Sequence, residues 1–252
     1  MTSETKEGYV NSHTEHGITT IEFFHPQSNS LPVKLLDQLR QEIHYAGTHD
    51  SKVVILKSAG EGAFCAGASF DELSAVQNEK EGIEFFSGFG NLINAMRKCK
   101  KLIIGRIHGK SVGGGVGIAA AVDYAIAVRT AEVRLSELSL GIGPFVVGPA
   151  IERKIGTSAF SQIAIDAHLW RNAEWAKHKG LFAEVHETVE GMDESIARLA
   201  YSLSHFSPEA IAEMKRIFWV GTENWDSLLK ERAAISGRLI LSDFTKNAIT
   251  SF

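Results

Sequence analysis

A glycine-rich stretch at residues 103–123 constrains the fold more than any other part of the chain. Together with Leu102, its first residues are mostly apolar and predict a buried strand at 102–107. Glycines then turn the chain, and small apolar residues at 118–122 predict a helix. The turn glycines are Gly113, Gly114, Gly115 and Gly117. The first N–H groups of a helix are unpaired and lie at the positive end of its dipole, and glycine lets a ligand oxygen approach them closely. The stretch is therefore a candidate anion or oxyanion site. Close helix–strand packing is the alternative explanation.

The rest of the chain alternates strands and helices in its first half and is mostly helical in its last third. Apolar spacing predicts helices at 33–46 and 81–98, and an apolar run predicts a strand at 53–56. Further predicted elements are strands at 19–24, 124–128, 133–135 and 182–186, and helices at 150–155, 158–169, 172–179, 192–204, 208–219 and 224–240. This order favours an α/β core followed by a helical region.

Length, charge and cysteine content narrow the class of protein. With 252 residues and 44% hydrophobic content, the chain suits one large domain, or one domain with an appendage. It has 26 basic and 30 acidic side chains, a net charge of −4 and no basic run, so we expect no nucleic acid partner. Cys65 and Cys99 form no metal or disulfide pattern, which predicts no metal and a cytoplasmic location. The polar N-terminus predicts no signal peptide, and no apolar run predicts a membrane span.

Two short patterns within the glycine-rich stretch suggest other chemistries. Residues 109–113 match G-x-S-x-G, the nucleophile elbow of α/β-hydrolases, which would make Ser111 the nucleophile of a serine esterase. The later acids and histidines for such a triad are Asp166, Asp193, Asp226, His168, His178, His186 and His205. Residues 115–120 match the dinucleotide pattern G-x-G-x-x-A, which also needs an acid at the end of the next strand. That strand ends at 128–130 without one, and the predicted helix is short for either motif.

A third interpretation joins the stretch to an earlier loop of small residues. Residues 64–70 also turn the chain into a helical segment. Two such turns, each offering one backbone N–H, would together polarise one carbonyl oxygen. Glu137 follows at a predicted strand end and is a candidate acid or base, although most glutamates are solvated surface residues.

Several motifs in order resemble the enoyl-CoA hydratase/isomerase family, also called the crotonase family, over almost the whole chain. The matching segments are 63–68 (Ala-Phe-Cys-Ala-Gly-Ala), 108–115 (His-Gly-Lys-Ser-Val-Gly-Gly-Gly), 136–141 (Ser-Glu-Leu-Ser-Leu-Gly) and 173–181 (Ala-Glu-Trp-Ala-Lys-His-Lys-Gly-Leu). The resemblance implies an α/β fold, a crotonase-like spiral of β-β-α units with a C-terminal helical trimerisation region. It divides the single domain into a core, 1–190, and a helical region, 191–252, and implies a homotrimer or homohexamer.

The resemblance also implies the substrate and the roles of individual residues. The substrate is a coenzyme A thioester, so coenzyme A is part of the substrate and no separate cofactor is implied. The N–H groups of Ala68 and Gly114 hold the thioester oxygen, and each such donor is worth roughly 3–4 kcal/mol to a developing oxyanion. Ala66 lies beside the adenine, Gly67 belongs to the same binding segment, and Glu137 is the catalytic glutamate.

One departure from the family pattern bears on the reaction. Hydratases of this family have two glutamates, and the first occurs at the position of Gly117. Moving a double bond needs only one base, so Glu137 alone favours enoyl-CoA isomerisation, with hydration as the alternative. The loop 141–147 carries no acid, and we expect Asp71 and Glu72 to face solvent at the start of a helix. A serine esterase using Ser111 and a family member that binds without turnover complete the alternatives.

Overall fold

The computed structural model describes residues 7–250, which form nine strands and ten α-helices. The strands are β1 Tyr9–Glu15, β2 Ile18–Phe24, β3 Val53–Ser58, β4 Leu102–Ile107, β5 Ser111–Val112, β6 Tyr124–Val128, β7 Glu132–Arg134, β8 Arg171–Asn172 and β9 Glu184–His186. The helices are α1 Val33–Thr48, α2 Phe70–Ala75, α3 Glu79–Lys98, α4 Gly114–Ala121, α5 Gly148–Ile165, α6 Ala173–His178, α7 Val189–Ser204, α8 Pro208–Phe218, α9 Trp225–Leu239 and α10 Asp243–Thr250. A short 3₁₀ helix, Glu137–Leu140, follows β7.

The main sheet has six strands in the order β1-β2-β3-β4-β6-β9. The pair β1–β2 is antiparallel, whereas β2, β3, β4, β6 and β9 pair in parallel. Helices connect most of the parallel strands and cover the sheet, so its central strands read as continuous apolar runs. In β4, Ile103, Ile104 and Ile107 are fully buried.

A second, three-stranded sheet, β5-β7-β8, holds the glycine-rich stretch against the rest of the fold. Ser111 of β5 pairs with Val133 of β7 and forms a bridge to Cys65. The Val112 N–H donates to the Cys65 carbonyl at 2.9 Å, and the Cys65 N–H donates to the Lys110 carbonyl at 3.2 Å. The two loops of small residues are therefore joined by backbone hydrogen bonds.

The helices around the site pack closely because glycines face each other. A Cβ atom added to Gly82 of α3 would lie 2.7 Å from the Cα atom of Gly237 in α9. Further along α3, Phe89, Leu92 and Met96 are buried in the core. This packing places α3 beside the glycine-rich stretch.

The structure confirms the predicted α/β fold with a helical C-terminal region, and most predicted elements lie within a few residues of the observed ones. Gly156, with φ of 75°, breaks α5 between the two helices predicted there. The predicted division between residues 190 and 191 falls inside α7 and stays a prediction. No helix within residues 7–250 is long and apolar enough to cross a membrane.

One detail of the central stretch differs from the prediction. Gly113 alone forms the turn, with φ of 51°, and α4 already begins at Gly114. Gly114, Gly115 and Gly117 lie in the first turns of this helix, where Cβ atoms would collide with Phe89, Cys65 and Val147. The sequence offered close helix–strand packing and a ligand site at the helix start as alternatives. The structure shows close packing of these glycines, and Gly114 at the start of α4 also lines a cavity.

Candidate active site

A cavity of about 570 Å³ lies where the two loops of small residues meet the segment that carries Glu137. Its wall includes all five sequence-predicted site residues, which are Ala66, Gly67, Ala68, Gly114 and Glu137. Another part of the wall is apolar and comes from α3 and from the loop before α5. Its members include Phe86, Phe89, Ile142, Phe145, Val146 and Val147.

The first loop brings Ala68 to the cavity wall. Gly67 has φ of 90°, and a Cβ atom there would lie 2.9 Å from the Val112 carbonyl oxygen, so the position requires glycine. The Gly67 carbonyl accepts a hydrogen bond from the Leu31 N–H at 2.8 Å, which fixes this peptide. Ser69, where the family usually has aspartate, caps α2 by accepting from the Glu72 N–H at 3.4 Å.

The second loop presents the Gly114 N–H at the start of α4. The Gly113 N–H donates to the Arg134 carbonyl at 2.9 Å, which leaves the next N–H pointing away from β7. An ideal Cβ on Gly67 would lie 3.4 Å from the Gly114 nitrogen, so the two loops touch. Among residues 7–250, no acceptor pairs with the N–H of either Ala68 or Gly114. Two uncommitted donors on one cavity wall suit a carbonyl oxygen that gains negative charge.

Glu137 begins the 3₁₀ helix and directs its carboxylate toward the second loop. A Cβ atom on Gly113 would lie 2.7 Å from Glu137 Oε1, so glycine is required for this approach. Glu137 Oε2 is buried and has no hydrogen-bond partner among the described residues. Burial raises the pKa of the Glu137 carboxyl from 4.5 to about 7, and its own backbone N–H opposes that shift. A carboxylate with this pKa exchanges protons readily near neutral pH.

The position of the first hydratase glutamate is closed as well as lacking a carboxylate. Gly117 is buried in α4, and a Cβ atom there would lie 2.6 Å from Val147 Cγ1. Val147 lines the cavity in its place. Of the nearby acids, Asp71 lies at the cavity wall and accepts from Gln27 Nε2 at 2.9 Å, while Glu72 accepts from the Val33 N–H at 2.8 Å.

The expected nucleophile elbow is absent, so the esterase interpretation of Ser111 is wrong. Ser111 is fully buried in β5 and is not part of the cavity wall. Its Oγ atom has no hydrogen-bond partner among the described residues, so no histidine there activates it. The role of a turn or capping residue, which the family resemblance leaves for Ser111, is also wrong because Ser111 is a strand residue.

The sequence does not indicate that three residues of the cavity wall, Arg134, His168 and Val147, belong to the site. Arg134 reads as a strand residue, His168 only as one of several later histidines, and Val147 as part of a loop. Phe86 lines the cavity, whereas its neighbour Phe85 packs elsewhere. Alternation along β7 places Arg134 opposite to the buried Val133, but not at a particular cavity.

Comparison with known proteins agrees with this geometry. The chain aligns with a probable enoyl-CoA hydratase of Bacillus subtilis (strain 168) at 25% identity over 93% of this chain and 92% of that protein. It aligns with the mitochondrial 3-hydroxyisobutyryl-CoA hydrolase of Bos taurus at 34% identity over 41% of this chain, and spans only 28% of that protein. The crystal structure of enoyl-CoA hydratase from Bacillus halodurans has the same fold, with a TM-score of 0.89 over 97% of this chain and 100% of that chain, at 20% identity.

The family assignment follows from a match along nearly the whole sequence. The model of the enoyl-CoA hydratase/isomerase family matches residues 13–248, which include both loops of small residues and Glu137. The chain therefore belongs to the enoyl-CoA hydratase/isomerase family.

Proposed function

We propose that the protein isomerises an enoyl-CoA thioester with Glu137 as its single proton-transferring group. The observation that carries this proposal is the pairing of one buried carboxylate with an apolar wall. Glu137 lies beside the start of α4, and Val147 occupies the space that a second glutamate at Gly117 would need. Shifting a double bond needs one base that removes a proton and later returns it.

In the proposed reaction, Glu137 removes a proton from C2 of a 3-enoyl thioester. The electrons of that C–H bond form a double bond between C1 and C2, and the π electrons of the thioester carbonyl move to its oxygen, which becomes negative; the double bond between C3 and C4 is conjugated with this enolate. The N–H groups of Ala68 and Gly114 stabilise this oxygen because they are fixed before the reaction begins. The protonated Glu137 then gives its proton to C4, which leaves the double bond between C2 and C3. No cofactor is needed beyond the coenzyme A that the substrate carries.

The apolar wall supports this single-base chemistry. Phe89, Phe145 and Val146 line the same cavity as the two N–H donors. A hydrocarbon chain bound there displaces water from the cavity, which favours return of the proton to carbon over addition of water to C3 of the 2-enoyl product. The same wall keeps the Glu137 carboxyl in an apolar setting, and this burial is the cause of its raised pKa.

Hydration is the second candidate because the relative aligned over most of this chain is named as a probable enoyl-CoA hydratase. In that reaction Glu137 would deprotonate a water molecule that attacks C3. A proton for C2 would then have to come from the same residue or from solvent, since Gly117 offers none.

The test compares 2-enoyl- and 3-enoyl-CoA substrates in deuterated water, with the wild type, Glu137→Gln and Glu132→Gln. The Glu137→Gln variant keeps the shape but loses the base, so we expect isomerisation to slow on the order of 10²–10⁴-fold while thioester binding is retained. Glu132 serves as the control because it pairs with Lys110 at 3.1 Å and does not line the cavity.

Each outcome distinguishes the candidates. Deuterium incorporation at C2 and C4 with little hydroxyacyl product supports isomerisation, and rapid water addition by the wild type supports hydration instead. Full activity of Glu137→Gln removes Glu137 from both mechanisms. Tight thioester binding without any turnover identifies a member of the family that only binds.

A further inference from the structure

Arg134 is a charged side chain of the cavity wall that the proposed reaction does not use. It ends β7, three residues before Glu137, and its carbonyl holds the Gly113 N–H of the oxyanion turn. The guanidinium carbon lies 4.5 Å from the centre of the Trp170 ring, so the side chain stacks on the indole. Stacking of this kind holds the guanidinium without consuming its N–H donors.

The charge of Arg134 is not neutralised by the protein. Lys110 also lies 4.5 Å from the centre of the Trp170 ring, but Glu132 pairs with it at 3.1 Å. Across residues 7–250, Arg134 makes no ion pair, and its Nε atom is buried without a hydrogen-bond partner. A buried donor on a charged group loses its water without recovering a hydrogen bond, which is costly unless a ligand supplies the acceptor.

The other charged groups of this cavity leave Arg134 free for a ligand. Asp71 is held by Gln27 at 2.9 Å, on the side of the first loop. Glu137, with a pKa of about 7, directs its carboxylate toward Gly113. His168 also lines this cavity but carries no negative charge, so it does not neutralise Arg134.

We propose that Arg134 binds a carboxylate on the acyl group of the substrate, so that the enzyme takes acyl-CoA thioesters with a second, terminal acid. This proposal rests on the proposed function. A carboxylate accepts two parallel hydrogen bonds from one guanidinium, and the Trp170 ring fixes the plane in which they lie. The acyl group is the source because Arg134 precedes Glu137 by three residues and its carbonyl holds the Gly113 N–H of the oxyanion turn, whereas the resemblance places the adenine of coenzyme A beside Ala66.

Calorimetric binding tests this without requiring turnover. The ligands are glutaryl-CoA, pentanoyl-CoA and free coenzyme A, which share the nucleotide but differ in the terminal carboxylate. We expect Arg134→Gln to weaken glutaryl-CoA on the order of 10–100-fold, because a hydrogen-bonded charge pair is lost, and to leave the other two ligands unchanged. Arg134→Lys keeps a positive charge but cannot donate two parallel hydrogen bonds, so its affinity for glutaryl-CoA should lie between that of the wild type and that of Arg134→Gln.

Arg171→Gln is the matched control. Arg171 also stacks on a tryptophan, 5.5 Å from the centre of Trp175, and its Nε is also buried and unpartnered. It does not line the cavity, so its loss should not change the binding of any of the three ligands.

The results separate failure of this proposal from failure of the proposed function. If the wild type binds no acyl-CoA, the proposed function fails. Equal affinity for glutaryl-CoA in the wild type and Arg134→Gln overturns the role of Arg134 alone. An equal loss for all three ligands shows that Arg134 contacts a phosphate of coenzyme A, which also overturns the proposal. If Arg134→Gln does not fold, the comparison of wild type with Arg134→Lys decides.

Discussion

Glu137 should control the pH dependence of activity, because burial raises its pKa from 4.5 to about 7. The reaction needs the carboxylate, so kcat/KM should rise as pH increases toward 7 and level off above it. A profile measured with a substrate whose own groups do not titrate between pH 5 and 9 provides the check. An activity that is flat from pH 5 to 9 would contradict the assignment of Glu137 as the base.

The space beside α4 should decide whether a second carboxylate can be introduced. Gly117→Glu alone should destabilise the fold by about 1–3 kcal/mol, because its side chain overlaps Val147. Adding Val147→Gly opens that space, and the double variant should gain hydration relative to isomerisation. The control is Gly117→Ala with Val147→Gly, which opens the space but adds no carboxylate. A folded double variant with an unchanged product ratio would refute the prediction.

Local sequence motifs were enough to predict which residues of the two loops and of the Glu137 segment line the cavity. Ala68, Gly114 and Glu137 all line one cavity because the family motifs carry them. Val147 and Arg134 were not identified, since their importance arises from contacts between distant segments. The spacing of residues along the sequence does not predict that Val147 occupies the space that a side chain at position 117 would need.

Lys215 should hold α8 to the main sheet. The side chain is 2% exposed, and its Nζ contacts Asp123 Oδ2 at 2.8 Å and donates to the Lys101 carbonyl at 2.8 Å. Lys215→Met leaves Asp123 buried without its cation, which should reduce the free energy of unfolding by about 3–5 kcal/mol. Chemical denaturation measures this.

The exposed pair between Lys98 and Asp226 provides the comparison, because its partners are 2.7 Å apart but each is 55% exposed. Lys98→Met should therefore cost less than about 1 kcal/mol. A similar loss for both variants would show that burial does not decide the strength of these pairs.

The three strands that the sequence missed, β1, β5 and β8, have no apolar periodicity of their own. β1, Tyr9–Glu15, is mostly exposed and forms because the turn at His16 and Gly17 folds it back onto β2. The two-residue strands β5 and β8 exist through pairing with β7. Longer strands and helices carry their own pattern, and this is why they were predicted.

Several apolar side chains in and just after α5 and α8 are exposed to solvent. The exposed side chains there are Ile165, Leu169, Ile217, Phe218 and Val220. We also expect the C-terminal helical surface that carries Trp170, Trp175, Trp219 and Trp225 to be buried between subunits, and this stays a prediction. Within one chain, Trp225 is 5% exposed and packs edge-on against Trp219. Pattern alone does not distinguish an aromatic side chain of the core from one of an interface.

We propose that these exposed apolar side chains form the subunit interface of the homotrimer or homohexamer that the family resemblance implies. Burying them between subunits would remove apolar area from water. Light scattering at micromolar concentration should give the mass of three or six chains, and Ile217→Glu should lower that mass. Tyr45→Glu, on the distant helix α1, is the control and should leave it unchanged. A monomeric mass for the wild type would contradict the proposal.

The contact between Gly117 and Val147 also limits how this lineage can acquire a second glutamate. A glutamate side chain at position 117 would clash with Val147, so this mutation is deleterious until residue 147 has become smaller. The reverse order passes through an enzyme with an unfilled space and no new acid. Neither single step brings the new chemistry, so the two positions are epistatic, and single-base chemistry is protected by packing as well as by the missing carboxylate.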